Sequence, residues 1–303
     1  MEPDFAQPHP KIPSVYSAEK ILTANLPPRE LLLDPILSTK TLAMLYAPRG
    51  VGKTHMALGI AWAVASGGSF LKWQAERPRK VLYIDGEMPV ADIQQRLRLL
   101  GSAPPELRFM MADMEPEGLH DLGKWDARKL LRASWGKTPD LLVLDNLSSL
   151  VGKSTDDPDA WNGLQDWLLT CRRDGIAVLI VHHAGKDGQQ RGTSRREDVL
   201  DVVVALRRPA DYEPKDGARF EVHFEKARGI FGDGADPFEA RLQTDGCGVA
   251  HWQWQPLSVS ELNRAVPLFK EGLSLSEVAE ALGISKTSSH RLRRRAMEMG
   301  VLA

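Results

Sequence analysis

The sequence predicts an α/β protein with a mostly parallel central sheet, followed by a small all-α unit at its C-terminal end. Three observations predict it. Five short apolar runs, Leu42–Tyr46, Val81–Asp85, Leu141–Asp145, Ala177–His182 and Val202–Leu206, have the length and near-continuous hydrophobicity of strands buried on both faces. Amphipathic stretches at Thr54–Ala65, Val90–Leu100, Trp125–Ser134 and Trp161–Asp174 alternate with them, the pattern of a doubly wound sheet. After Pro256 the pattern turns helical, with a capping box at Ser274–Glu277 and a basic stretch after Ser285.

Along the chain, residues 1–30 read as an N-terminal arm: Met1–Ala18 is Pro-rich and extended, and Glu19–Leu33 is expected to pack a short helix on the core. The alternating region spans 31–255. Within it Pro89 sits at the first turn of the second helix and Gly101 just past its end, the usual punctuation of a helix. Beyond Leu206 shorter runs, Phe220–Glu225, Phe238–Leu242 and Val249–Trp254, are joined by glycine turns and read as antiparallel strands at the sheet edge. Residues 256–303 form the last unit. Leu275, Val278, Ala279 and Leu282 share one helical face, Gly283-Ile284-Ser285 turns the chain, and a basic helix follows over about Lys286–Met299. Its first turns carry Lys286, Thr287, Ser288, His290 and Arg291, which is a helix-turn-helix pattern. A three-helix packing module with solvated arginines is the competing reading, and it leaves five cations against one anion between Ser285 and Met299 unexplained.

The run Ala47-Pro48-Arg49-Gly50-Val51-Gly52-Lys53-Thr54, between an apolar strand and His55 at the head of an apolar helix, is a phosphate-binding loop in the right context. Gly50 and Gly52 let successive N–H groups face one anion, Lys53 reaches the terminal phosphates, and Thr54 offers a hydroxyl to Mg²⁺. The motif therefore implies a nucleoside triphosphate. Its first position is Ala47 where glycine is usual, so the chain is expected to turn there with ordinary dihedrals.

With 303 residues, 43% hydrophobic and 26% charged, the chain can build one large α/β domain and a small module. It has no apolar stretch of about 18 residues and no apolar signal core among the four prolines of Met1–Ser17, so a cytoplasmic protein without membrane contact is expected. Cys171 and Cys247 lack metal-ligand spacing and read as ordinary thiols. The net charge of −1 is uneven: Gly185–Arg196 holds four basic residues and one acidic, so this segment and the basic helix are where a polyanion would bind.

Phosphoryl transfer to water needs Mg²⁺, a group that orients the water and a cation facing the leaving charge. Asp145 closes an apolar run and is placed beside the loop, where it can hold metal-bound water. Glu87 follows Val81–Gly86 and is the favoured partner of the attacking water, with Asp85 the competing carboxylate. His182 and His183 follow a strand, and one of them could sense the γ-phosphate; His182 heads the candidates.

The order P-loop, Glu after the second strand, Asp after the third and His after the fourth resembles the RecA-like ATPase core. Within that class the chain resembles hexameric replicative helicases of the DnaB and plasmid RepA type. Asp85-Gly86-Glu87-Met88-Pro89 is similar to a DnaB segment, and His182-His183-Ala184-Gly185-Lys186 with Arg191-Gly192-Thr193-Ser194 is similar to RepA. Lys226-Ala227-Arg228-Gly229 resembles the Lys-x-Arg that such subunits insert into a neighbour's site, with Arg191, Arg207 and Arg208 as other candidates. The resemblance covers about Leu31–Leu242. It implies ATP and Mg²⁺ as ligands, Glu87 as catalytic base, Arg96 near the adenine, and a homo-oligomer, expected as a hexamer. It also implies channel loops near Leu150–Ala160 and Gly185–Glu197, whose Lys153, Lys186, Arg195 and Arg196 would track single-stranded DNA. Two features are expected to depart from the family: no collar domain is read before the core, and the C-terminal helix-turn-helix, with Lys286, Thr287, Ser288 and Arg291 toward duplex DNA, is an addition. The expected function is an ATP-hydrolysing DNA motor of a plasmid, phage or mobile element. The alternative is an ATP-controlled DNA-bound regulator, recombination or defence ATPase without unwinding activity.

Overall fold

The computed structural model describes residues 14–151, 158–185, 198–244 and 250–302. Lys153, Lys186, Arg191, Arg195, Arg196 and Cys247 lie outside the described residues.

The five apolar runs are the strands β3 (Leu42–Ala47), β6 (Val81–Asp85), β8 (Leu141–Asp145), β9 (Ala177–His183) and β10 (Val202–Arg207). They are buried along almost their whole length, as strands covered on both faces must be. With β7 (Leu107–Met111), β11 (Arg219–Ala227), β12 (Phe238–Thr244) and β13 (Ala250–Pro256) they form a nine-stranded sheet ordered β13-β12-β11-β10-β3-β9-β8-β6-β7. The six strands from β10 to β7 are parallel, and β10 through β13 pair antiparallel, so the glycine-turned segments do lie at one edge. Two small hairpins, β1 (Leu31–Leu33) with β2 (Leu37–Ser38) and β4 (Ser69–Phe70) with β5 (Trp73–Gln74), stand outside this sheet.

Alternate strand residues face two cores. One contains Ala43, Leu45, Val81, Tyr83, Val143 and Leu179 under α2 (Lys53–Ser66) and α3 (Val90–Arg98). The other contains Met44, Ile84, Leu142, Leu144 and Ile180 under α4 (Trp125–Ser134), α5 (Leu147–Leu150) and α6 (Pro158–Arg173). Helix α2 is apolar all round because it is buried nearly all round. This is an α/β core with a mostly parallel central sheet, and α7 (Leu257–Lys270), α8 (Leu275–Leu282) and α9 (Lys286–Glu298) follow it. Those three helices share a small core of Leu262, Ala265, Val278, Leu292 and Ala296. Ser274 and Glu277 form the expected reciprocal cap, and Gly283 ends α8 at a left-handed φ of 63°.

The arm departs from expectation. The helix α1 (Ala18–Leu22) has five residues, none of them buried, and Ile21 and Leu22 stay exposed. A single turn with no packed face gains too little to dock. Among the described residues, core contact begins at Leu32 and Leu33 in β1.

Candidate nucleotide-binding site

Parallel strands all end at the same edge of a sheet, and here the ends of β3, β9, β8 and β6 lie side by side. Residues that immediately follow those strands therefore meet in one cleft although they are distant in sequence. The cleft holds about 540 Å³, within the usual range for a small-molecule site, and is lined by Arg49 to His55, Asp85, Glu87, Met88, Arg96, Asp145, Asn146 and His183. Tyr212, Gly217 and Ala218 close another side.

Ala47 ends β3 as an ordinary strand residue, and the turn is made by glycines: Gly50 has φ 75° and Gly52 φ 125°. A Cβ on Gly52 would come within 2.8 Å of the Phe220 ring, so both space and backbone conformation require glycine there. Lys53 is buried at the start of α2 and donates from Nζ to the carbonyls of Ala47 and Pro48, each at 2.9 Å. Burial lowers its pKa to about 8, against the attraction of Asp145 and Glu87 and with some repulsion from Arg49. His55 behind it is pushed down to about 4 by burial and by the charge of Arg96.

Asp145 is buried at the end of β8, with its carboxylate accepting from Tyr83 Oη at 2.6 Å and from the Thr54 hydroxyl. Burial raises its pKa despite these donors and the nearby Lys53. Asp85 divides its labour with Glu87. Its Oδ1 accepts from the backbone N–H of Glu87 and Met88 at 2.9 and 2.7 Å, which fixes the turn that carries Glu87. Its Oδ2 is buried without a hydrogen-bond partner, and burial, opposed by those two amides, pushes its pKa up to about 6. Glu87 stands at the mouth, half exposed, and accepts a hydrogen bond from Asn146 Nδ2. These residues fit a nucleotide with Mg²⁺: a glycine cradle, a lysine at its head, the Thr54–Asp145 pair and an unsatisfied carboxylate oxygen converge. Among the described residues no group of three His, Cys, Asp or Glu could hold a metal alone, so phosphate oxygens would complete the coordination.

Several expectations need correction. His183, not His182, faces the cleft, with Nε2 3.6 Å from the Glu87 carboxylate; burial and Lys53 keep its pKa low. The two side chains point to opposite faces of β9 because strand side chains alternate, and His182 is 1% exposed on the other side. Arg208, one alternative for the trans cation, donates from Nη2 to the Gly50 carbonyl of its own loop at 3.2 Å, and its guanidinium lies 4.2 Å from the Tyr212 ring. Arg207 pairs with Glu225 at 3.0 Å. Arg96 lines the cleft where its charge reaches His55, Tyr83 and Asp145, on the phosphate side, and Tyr212 is the aromatic ring in the lining. Asn146 and Tyr212 were missed from sequence; an Asn directly after a strand-ending Asp is a local signal, whereas Tyr212 carries none.

Lys226 and Arg228 lie elsewhere. The Arg228 backbone N–H donates to Asp201, whose carboxylate accepts from the Leu42 N–H at the start of β3. Five strand steps of about 3.3 Å separate Leu42 from Ala47 and the P-loop, so Arg228 is roughly 17 Å from its own cleft. On α9, Lys286, Thr287 and Arg291 are exposed while Ser289, Leu292 and Ala296 are buried, so the expected face is free of the helical core. Ser288 is half-buried, with its N–H bonded to the Ser285 cap and its hydroxyl accepting from Arg291. Cys171 is buried and its thiol pushed up to about 12, as an inert thiol should be. No described helix is long and apolar enough to cross a membrane.

The chain is 26% identical over 160 residues, 51% of its length, to the DNA repair protein RadA of Brucella abortus (strain 2308), and that match spans 31% of the relative. It is also similar to the crystal structure of a KaiC-like protein from Pyrococcus horikoshii OT3, with a TM-score of 0.49, 14% identity, and coverage of 74% of this chain and 94% of that one. Residues 7–189, well over half of the chain and including every P-loop residue, match the family described as AAA domain, and the chain belongs to that family.

Proposed function

We propose that the protein is an ATP-hydrolysing, oligomeric RecA-like motor that acts on DNA, in the manner of RepA- and DnaB-type helicases. The convergence of Lys53, the Thr54–Asp145 pair and Glu87 on one cleft carries this reading. In it the P-loop amides and Lys53 grip the triphosphate, and Mg²⁺, when bound by Thr54 and through water by Asp145, neutralises phosphate charge. Glu87, held by Asn146, accepts a proton from the attacking water, and neutral His183 donates toward the γ-phosphate region. Arg228, too far from its own cleft, supplies its charge to a neighbouring copy, expected in a ring of six.

The likeness to a DNA repair protein and the exposed cations of α9 support DNA as the partner. The test is ATP-dependent separation of a forked duplex. Strand separation that requires ATP and is lost in Glu87→Gln supports a helicase. DNA-stimulated ATP hydrolysis without strand separation moves the protein to the second reading, an ATP-controlled DNA-binding ATPase, which the added basic helix α9 favours.

A further inference from the structure

One segment, residues 208–218, touches both the nucleotide cleft and the C-terminal helices. Its first residue grips the P-loop through Arg208 and Gly50, and the Arg208 guanidinium lies against Tyr212. Its last residues, Gly217 and Ala218, line the cleft with Tyr212 and lead into β11, where Phe220 packs beneath Gly52. Within the segment Tyr212 Oη donates to the Gly217 carbonyl, and Glu213 and Asp216 cap each other's turn. Any shift of the P-loop glycines is therefore passed to this segment at both of its ends.

The outer side of the same segment is bound into a cluster of charges. Asp211 accepts from Arg219 of β11 and from Arg264 of α7, at 3.0 and 3.1 Å. Asp216 accepts from Arg219 and Arg241 at 3.0 and 3.1 Å, and Arg264 also reaches Glu221 at 3.0 Å. Burial opposes the Asp211 carboxylate, yet the two arginines outweigh it and hold its pKa below the usual range. Arg219 and Arg264 are each only 11% exposed, so their pairs with Asp216 and Glu221 are poorly screened, while Asp211, 42% exposed, joins them from the solvent side. Helix α7 in turn packs against α8 and α9.

We propose that segment 208–218 folds over the base and sugar of the nucleotide, with Tyr212 against the base, and that α7 sets its position through Asp211 and Arg264. Occupancy of the C-terminal helices thereby regulates nucleotide affinity, and nucleotide in turn alters α7. This rests on the cleft being a nucleotide site.

The experiment is hydrogen exchange of the full chain with and without saturating ATP and Mg²⁺, with ATP affinity by calorimetry, for wild type, Asp211→Asn and Arg264→Met. In wild type, ATP should slow exchange both in 208–218 and in α7. Each variant should bind ATP at least about fivefold more weakly, the lower end of couplings between sites, and at saturation lose the α7 response while retaining that of 208–218. An α7 that ignores ATP in wild type overturns the proposal, as does an α7 response retained in Asp211→Asn. A folded wild type that fails to bind ATP at all overturns the nucleotide reading itself, a distinct result.

Discussion

His183 Nε2 stands 3.6 Å from Oε2 of Glu87, the same oxygen that accepts a hydrogen bond from Asn146 Nδ2. A base at the mouth of the cleft, fixed by two neighbours, is separate from the lysine that grips phosphate. Glu87→Gln is therefore expected to bind ATP as wild type does and to hydrolyse it at least about 10²-fold more slowly. Lys53→Ala is expected to lose binding, because phosphate charge is left without its cation. Calorimetric affinity and steady-state phosphate release measure both; full turnover in Glu87→Gln would move the role to Asp85.

The two histidines should separate in the same assays. His183→Ala is expected to slow hydrolysis about 10- to 100-fold with an unchanged melting temperature, since its ring faces the cleft. His182→Ala removes a ring that is 1% exposed and should lower the melting temperature by several degrees. Equal losses of turnover at unchanged stability would return His182 to the site.

Asp85 gives the protein a pH-dependent cost. Its folded pKa of about 6 lies above the ordinary 3.8, so the native state binds the proton more tightly than the unfolded chain. The stability it contributes is complete below about 4 and is lost as pH rises through about 6; above that the ionised, half-satisfied carboxylate costs roughly 3 kcal/mol. Asp85→Asn keeps the acceptor for Glu87 and Met88 and removes the charge. Denaturant unfolding without nucleotide should show Asp85→Asn more stable than wild type at pH 7.5, with the difference shrinking toward pH 4.5; a constant difference would show that the charge is not its source.

The parallel strands were legible to within a residue because strands buried on both faces must be apolar throughout, as Leu141–Leu144 are. Strand β7 was not, because an edge strand is half covered and tolerates Arg108 and other solvent contacts. Helix α7 was hidden by Pro267 inside it and by a buried face that includes Ser260, whose hydroxyl is satisfied by Glu239. The P-loop, Asp145 and Glu87 could be read because each follows a strand within a few residues. The contact of Arg208 could not, since its partner Gly50 is 158 residues away and only the parallel pairing of β10 with β3 brings the two strand ends together.

The exposed cations of α9 predict a salt-sensitive grip on duplex DNA. Lys286→Ala/Arg291→Ala should weaken duplex binding at every sequence if both meet phosphates, and reduce the log-log salt slope by roughly 2. If Arg291 meets a base edge, only the preferred sequence should suffer, by about 1–3 kcal/mol. Affinities across a salt series on two unrelated duplexes distinguish the two, and unchanged binding on both would assign α9 to packing.

Arg228 lies at the far end of β3 from its own P-loop, so the proposed function has it act on the site of a neighbouring copy. Its guanidinium lies 3.5 Å from Asp201 and is 59% exposed, so the side chain is available to another subunit. Arg228→Ala should then keep ATP affinity within about twofold while losing hydrolysis by about 10³-fold, the low end for a cation supplied in trans. Mixing it into wild type adds a sharper test. If each site needs the next copy's arginine, an inactive partner disables a neighbour that is itself intact, and activity falls below the line expected from dilution alone. A strictly proportional decline, or specific activity that does not change with protein concentration, would place the required cation within the same chain, where Arg208 at Gly50 is already in position.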